Sequence, residues 1–254
     1  MSANGVATAW NPGAGGYVYT LGISGSTIYL GGQFALMGGQ PRSNIAAVNA
    51  SSALATTWNP SANSDVLTLQ VSGSTVYAGG YFTNLGGQPR DYVAALDITT
   101  GAARPWNANA DFLVHDVEVS GSTVYVGGWF TTIGGQAGKY LAALDATTAA
   151  ATAWNPNPSD YVQSLAVSGT TIYAGGYYRL LGGVARGRLA ALDLTTGQAT
   201  AWDPNASVSV VYCLAVSGTK VYVGGGFDTV GGQARSTSPR WTPRPGSRPH
   251  GTRV

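Results

Sequence analysis

The amino-acid sequence predicts an all-β fold made of one antiparallel unit repeated about five times. Tryptophan recurs every 48 residues along the 254-residue chain, and a fixed period of this size is typical of stacked repeat architectures. The composition favours strands over helices, because Val, Thr, Tyr and Trp are plentiful whereas Glu occurs once. The tryptophans that set the period are Trp10, Trp58, Trp106, Trp154 and Trp202.

The second unit shows the order of elements that the other units repeat. Residues 66–71 and 75–80 flank a Ser-Gly-Ser turn and read as a hairpin. A longer loop over 82–90 follows, then a third strand over 93–97 and a fourth over 102–106 that leads into the next tryptophan. Four short strands in 48 residues predict a four-stranded antiparallel sheet in each unit.

Sheets of this kind must cover one another, because a single four-stranded sheet cannot bury both of its faces. Stacked copies arranged around an axis form a β-propeller, and we expect residues 1–235 to form one. A β-solenoid is the competing architecture. Its coils are usually shorter and would not need three hairpin turns in each repeat.

The repeat pattern breaks after Arg235. Residues 236–254 contain four arginines and no acid, which is typical of a basic disordered tail. The same codons read in a shifted frame permit LAALDATTG followed by a tryptophan, and the pair Trp241-Thr242 forces an aspartate codon. We therefore predict a frameshifted, disordered tail. The N-terminal residues 5–10 match the end of a unit, so we expect an incomplete fragment of a larger propeller.

Composition excludes several functional classes. Residues 1–235 carry nine Lys and Arg against eleven acids, so they offer no basic footprint for nucleic acid. No apolar run reaches the roughly 20 residues that span a bilayer, and no transmembrane segment is predicted. The single Cys213 can form neither an internal disulfide nor a thiol–metal cluster, and we expect it to be buried. With His115 the only histidine in the repeats, no metal site is predicted.

Most recurring residues are expected to serve the scaffold. Asp97, Asp145 and Asp193 each precede a Thr-Thr pair, where a carboxylate can accept hydrogen bonds from turn N–H groups. The recurring glycine pair, Gly79-Gly80 in the second unit, leaves part of a strand without side chains. Such a strand invites a close approach, and the recurring tryptophan is the expected neighbour.

The residue directly after the glycine pair differs from unit to unit. Specificity for a ligand is expected at variable residues of an otherwise constant repeat. Aromatic residues at this position could stack on sugars or on a partner protein, or could simply pack between sheets. We predict a non-enzymatic binding or display module with a glycan or protein ligand. The candidate ligand-binding residues are Gln33, Tyr81, Trp129 and Tyr177.

An enzyme acting on glycans, a hydrolase or a lyase, is the alternative. It would need at least two acids at the centre of the repeat array. The first strands supply one acid at their recurring small or polar position, which is Asp116. The sequence therefore indicates no catalytic residue.

The unit resembles two known repeat types. The run from Ala191 to Gly197 followed by Trp202 resembles the tryptophan-docking motif of quinoprotein (PQQ-like) propellers. The full pattern VSGSTVYxGGxF, GGQxR, LAALDxxTG and ATAWNP more closely resembles the delta-sixty-type propeller repeats of bacterial secreted and surface proteins. This resemblance implies a secreted or cell-surface location and a binding or display role. It implies no catalytic residue, and no cofactor is expected because no partner residue for a quinone is recognisable.

Overall fold

A computed structural model describes residues 8–206 and 210–234, and within these ranges all regular structure is β-strand. The predicted tail over 236–254 and residues 5–7 of the 5–10 segment lie outside the described residues. No helix in the described part of the chain is long and apolar enough to cross a membrane.

The strands follow the 48-residue period. The first unit contains β1 (Gly16–Ser24), β2 (Thr27–Phe34), β3 (Leu36–Met37), β4 (Gln40–Pro41) and β5 (Ile45–Asn49). The second contains β6 (Val66–Ser72), β7 (Thr75–Gly80), β8 (Asn84–Leu85), β9 (Gln88–Pro89) and β10 (Val93–Asp97). The third contains β11 (Val114–Ser120), β12 (Thr123–Gly128), β13 (Thr132–Ile133), β14 (Gln136–Ala137) and β15 (Leu141–Asp145). The fourth contains β16 (Val162–Ser168), β17 (Thr171–Gly176), β18 (Leu180–Leu181), β19 (Val184–Ala185) and β20 (Leu189–Asp193). The fifth contains β21 (Val211–Ser217), β22 (Lys220–Gly225), β23 (Thr229–Val230) and β24 (Gln233–Ala234).

Each of the first four units forms a three-stranded antiparallel sheet with its second long strand in the centre. In the second unit, for example, β7 pairs with β6 on one side and with β10 on the other. The loop predicted over 82–90 contains a two-residue ribbon, β8–β9. The described part of the fifth unit contributes the pair β21–β22 and its own short ribbon.

The expected four-stranded sheets are not formed. A single bridge between Leu96 and Ala103 stands where the fourth strand of the second unit was predicted, and the same bridge recurs in the first, third and fourth units. The chain then leaves the sheet edge, because the tryptophan a few residues later is buried against the preceding sheet. Trp106 meets Tyr77 edge-to-face with ring centroids 5.3 Å apart. Docking of this indole therefore limits the fourth strand to one bridge.

The hydrophobic core lies between consecutive sheets, as the stacking argument predicts. Val93 and Ala95 of β10 pack in one cluster with Val117, Val124 and Val126 of the next unit, and all five are almost completely buried. Equivalent clusters join the first sheet to the second, the third to the fourth and the fourth to the fifth. Burying one valine in this way stabilises the fold by about 1.5–3 kcal/mol.

The recurring tryptophan bridges two sheets rather than covering the glycine pair. While its ring packs on Tyr77 of one sheet, Trp106 donates its Nε1–H to the carbonyl oxygen of Asp145 in the next, at 3.0 Å. Trp58 and Trp154 make the same hydrogen bond in their units.

The neighbours of the glycine pair are a valine and a carbonyl group, which corrects the expectation of a tryptophan. A Cβ on Gly127 would lie 2.9 Å from Cγ1 of Val162 in the next sheet. A Cβ on Gly128 would collide with the carbonyl oxygen of Leu113, where the first strand begins. The pair is needed because one glycine lets the next sheet approach and the other lets the unit's own first strand approach.

The outer faces of the first and fifth sheets remain exposed in the described structure. Leu21 is 61% exposed, whereas its counterpart Leu69 is 5% exposed. Cys213 is exposed, against the prediction of a buried thiol, although Ser164 at the equivalent position is 7% exposed. The reason is that no described sheet covers this face of β21.

Candidate ligand-binding site

The four predicted ligand-binding residues lie at one edge of the sheets, directly after the glycine pair. Tyr81 and Trp129 are 45% and 40% exposed, Gln33 is exposed and Tyr177 is half-buried. Gln33 and Tyr81 belong to one side-chain group, and Trp129 and Tyr177 belong to another.

Trp129 lies at the centre of an aromatic group formed by loops of two units. Phe112, from the loop before β11, stacks on Trp129 with centroids 6.0 Å apart and ring planes 13° apart. Tyr161, from the loop before β16 of the next unit, meets Trp129 with centroids 4.6 Å apart in an edge arrangement. Phe112 is 43% exposed, so both rings of the stacked pair are accessible to a ligand.

The group continues on both sides and forms a row of six rings. Tyr177 lies 4.1 Å from Tyr161, and its hydroxyl interacts electrostatically with the hydroxyls of Tyr161 and Tyr212. Tyr92 of the second unit lies 5.9 Å from Phe112. We call this set the aromatic row, and it consists of Tyr92, Phe112, Trp129, Tyr161, Tyr177 and Tyr212.

A recurring β-bulge brings further side chains to the row. The register of each first strand shifts by one residue near its start. The extra residue is His115 in the third unit and Tyr212 in the fifth. A bulge redirects its side chain out of the regular alternation of the strand. The His115 ring lies 6.1 Å from both Trp129 and Tyr161.

His115 is neutral at pH 7, because burial lowers the pKa of its imidazole to about 4. Its Nδ1 atom lies 3.4 Å from Nε2 of Gln163, the bulge residue of the next unit. Its Nε2 atom is buried and has no protein partner. The scaffold therefore leaves one buried ring nitrogen of this imidazole without a hydrogen bond.

Gln33 and Tyr81 belong to a separate group on the first two units. Burial raises the pKa of the Asp65 carboxyl and outweighs the side-chain amide of Gln33, which lowers it. Asp65 in turn raises the pKa values of Tyr19 and Tyr81 in addition to the effect of their burial. Among the described residues, no ring contact joins Tyr81 to the aromatic row.

Two acids on one face of β11 form a third polar group. Asp116 accepts four hydrogen bonds, from the hydroxyls of Thr68 and Ser164 and from the N–H groups of Val117 and Leu165. Burial nevertheless raises the pKa of Asp116 to about 6. Because Thr68 and Leu165 lie in the preceding and following sheets, Asp116 fastens three units together.

Glu118 lies two residues further along the same face of β11. It was not identified from the sequence, because in the first strand of each unit only the position equivalent to Asp116 was considered. Burial and the Asp116 carboxylate raise its pKa to about 8. Gln70 Nε2 lies 3.4 Å from its Oε2. Because residues two apart in a strand lie on the same face, Glu118 could have been predicted to lie beside Asp116.

The recurring aspartates that precede a Thr-Thr pair stabilise turns, as predicted. Asp145 Oδ1 accepts hydrogen bonds from the N–H groups of Thr147 and Thr148 at 2.9 and 2.7 Å, and these bonds lower its pKa. Asp97 and Asp193 repeat the arrangement. Within residues 8–206 and 210–234, no group of three His, Cys, Asp or Glu side chains is placed to hold a metal ion.

Comparison with known proteins supports the fold and is silent on the site. Neither a protein-family model nor a curated protein matches the sequence. The computationally designed Ika8 protein matches with a TM-score of 0.51 at 16% identity, over 87% of this chain and 71% of its own. The computationally designed Ika4 protein gives a TM-score of 0.48 at 14% identity, over 72% of this chain and 94% of its own. The first likeness supports the repeated all-β architecture.

Proposed function

We propose that the protein is a non-enzymatic binding module whose aromatic row binds carbohydrate. The observation that carries the proposal is the position of Trp129, which is exposed and contacts both Phe112 and Tyr161, from loops of two units. Aromatic rings offer an apolar face to the C–H groups of a sugar at little cost in conformational entropy.

The polar atoms beside the row suit hydroxylated rather than charged ligands. The hydroxyls of Tyr177 and Tyr212 can donate to or accept from sugar hydroxyls. Residues 1–235 have more acids than bases, which disfavours phosphates and sulfates. The proposal is therefore a neutral glycan.

A glycan array probed with the wild type and with Trp129→Ala tests this function. We expect the variant to lose about tenfold or more of its affinity, the usual cost of removing a central aromatic contact. Tyr222→Ala is the matched control, because Tyr222 is 55% exposed but lies outside the row. Binding that survives Trp129→Ala refutes the glycan site, and capture of a protein but of no glycan favours a protein ligand.

We propose further that the units are blades of a β-propeller of the delta-sixty or quinoprotein-like type, located outside the cell. The hydrogen bonds through Asp116 support this arrangement, because they join first strands of successive units as the inner strands of a propeller would be joined. A compact domain of this length has a radius of gyration of about 18 Å. A much larger value from X-ray scattering would contradict the propeller, and finding the native protein only in the cytoplasm would contradict the location.

The second candidate function is a hydrolase or lyase acting on glycans. Asp116 and Glu118 favour it, since two neighbouring acids with raised pKa values can divide the acid and base roles. The four hydrogen bonds on Asp116 favour a structural role instead. Release of reducing sugar by the wild type, abolished in Glu118→Gln, would establish the enzyme.

A further inference from the structure

Among the described residues, a recurring arginine fills the same space in the first, second and fourth units. In the second unit, Arg90 donates from Nη1 to the carbonyl oxygen of Pro89 at 2.6 Å and from Nη2 to that of Arg104 at 2.7 Å. Arg42 and Arg186 make the equivalent two bonds with the same geometry. The guanidinium group thus ties the short ribbon of each unit to the segment that approaches the tryptophan.

The third unit has a glycine, Gly138, where the others have this arginine. A cavity of about 360 Å³ lies there, lined by Gly138, Ala137, Thr152, Trp154 and Asn155. Ala137 and Thr152 occupy the positions whose carbonyl oxygens accept from the arginine in the other units, as the 48-residue spacing shows. The cavity therefore corresponds to the space that the arginine side chain occupies in the other units.

We propose that this cavity is a binding site for a guanidinium group supplied by another molecule. A planar guanidinium presents parallel N–H donors that fit two fixed carbonyl oxygens, which an ammonium cannot match in the same way. The neighbouring Lys139 does not occupy the space, because its side chain is exposed. The source is either an arginine side chain of a partner protein or a free alkylguanidine.

Comparison with the fourth unit identifies a residue that should affect the affinity of the cavity for a cation. Arg186 Nη1 lies 3.9 Å from the carboxylate of Asp203, and the residue equivalent to Asp203 in the third unit is Asn155. A carboxylate at position 155 should therefore strengthen binding of a cation. Because Asn155 is exposed, the gain should be modest, about two- to fivefold.

The test is a titration of the full chain with ethylguanidinium, followed by the NMR signal of the Trp154 indole N–H. We expect a saturable shift in the wild type, binding at least tenfold weaker in Gly138→Arg, and two- to fivefold tighter binding in Asn155→Asp. Ethylammonium is the matched probe with charge but without the planar donors. No saturable shift, an equal response in Gly138→Arg, or equal binding of ethylammonium would each overturn the proposal.

A second variant keeps the test decisive if Gly138→Arg does not fold. Arg90→Gly should create the same cavity in the second unit and lower the melting temperature, and ethylguanidinium should restore part of the loss. Absence of any restoration counts against the site. A blocked arginine peptide that binds more tightly than ethylguanidinium identifies a partner protein as the source, whereas equal affinity identifies a small molecule.

Discussion

Substitutions at Gly127 and Val162, which lie in contact across two sheets, test directly how the sheets pack. Replacing Gly127 by alanine places a methyl group 2.9 Å from Cγ1 of Val162, which is fully buried. Overpacking of this kind costs about 1–3 kcal/mol, and we expect about 1–2 kcal/mol because one methyl group has to yield. Val162→Ala removes two buried methyl groups and should cost about 2–3 kcal/mol.

The double variant Gly127→Ala, Val162→Ala should be less damaging than the two single changes together. The added methyl then lies 3.3 Å from the retained Cβ at position 162 and fills part of the space left by the valine. We expect a coupling free energy of about 1–2 kcal/mol in favour of the double variant. Urea unfolding followed by tryptophan fluorescence measures it, provided the slope with urea is unchanged among variants.

The matched control combines Gly127→Ala with Val66→Ala. Val66 is fully buried and makes the same kind of contact with Gly31, two sheets away. Distant sites add, so this pair should show no coupling beyond about 0.5 kcal/mol. If Gly127 and Val162 were equally additive, the described packing of the third sheet on the fourth would be refuted.

Two further predictions concern titration and turns. Between pH 6.5 and 8 the free energy of unfolding should fall by up to about 1.5 kcal/mol, because the raised pKa of Glu118, about 8, makes its ionisation unfavourable in the folded state. In the folded state Asp116 and His115 titrate below this window, and the unfolded His115, with a pKa of about 6.5, opposes the fall by less than about 0.5 kcal/mol. Glu118→Gln should therefore remove most of the slope; an unchanged slope in that variant contradicts the assignment. Asp145→Ala should lower the melting temperature, because two turn N–H groups lose their acceptor, whereas Asp145→Asn should be nearly neutral, because Asn49 accepts the same turn hydrogen bonds in the first unit. Equal thermal shifts in the two variants would contradict this.

The candidate site illustrates how far sequence reasoning reached. Variation after the glycine pair singled out Trp129 and Tyr177, and the structure places both in the aromatic row. It also singled out Gln33 and Tyr81, which the structure places with Asp65 instead. Phe112 and Tyr161 were missed because they lie in irregular loops at different distances from their tryptophans, although an aromatic residue in each such loop was a usable signal.

The sequence by itself determined the all-β class, the 48-residue unit, the positions of the long strands and the turn role of the recurring aspartates. These features depend on contacts between residues close in the chain, and periodicity reports such contacts directly. The tertiary structure alone decided that the fourth strand shrinks to one bridge and that valine rather than tryptophan approaches the glycine pair. It also decided that rings from four units converge in one row and that the missing arginine at position 138 leaves a cavity. These outcomes depend on the distance and rotation between neighbouring sheets, which the packing of many side chains sets together and no single repeat encodes.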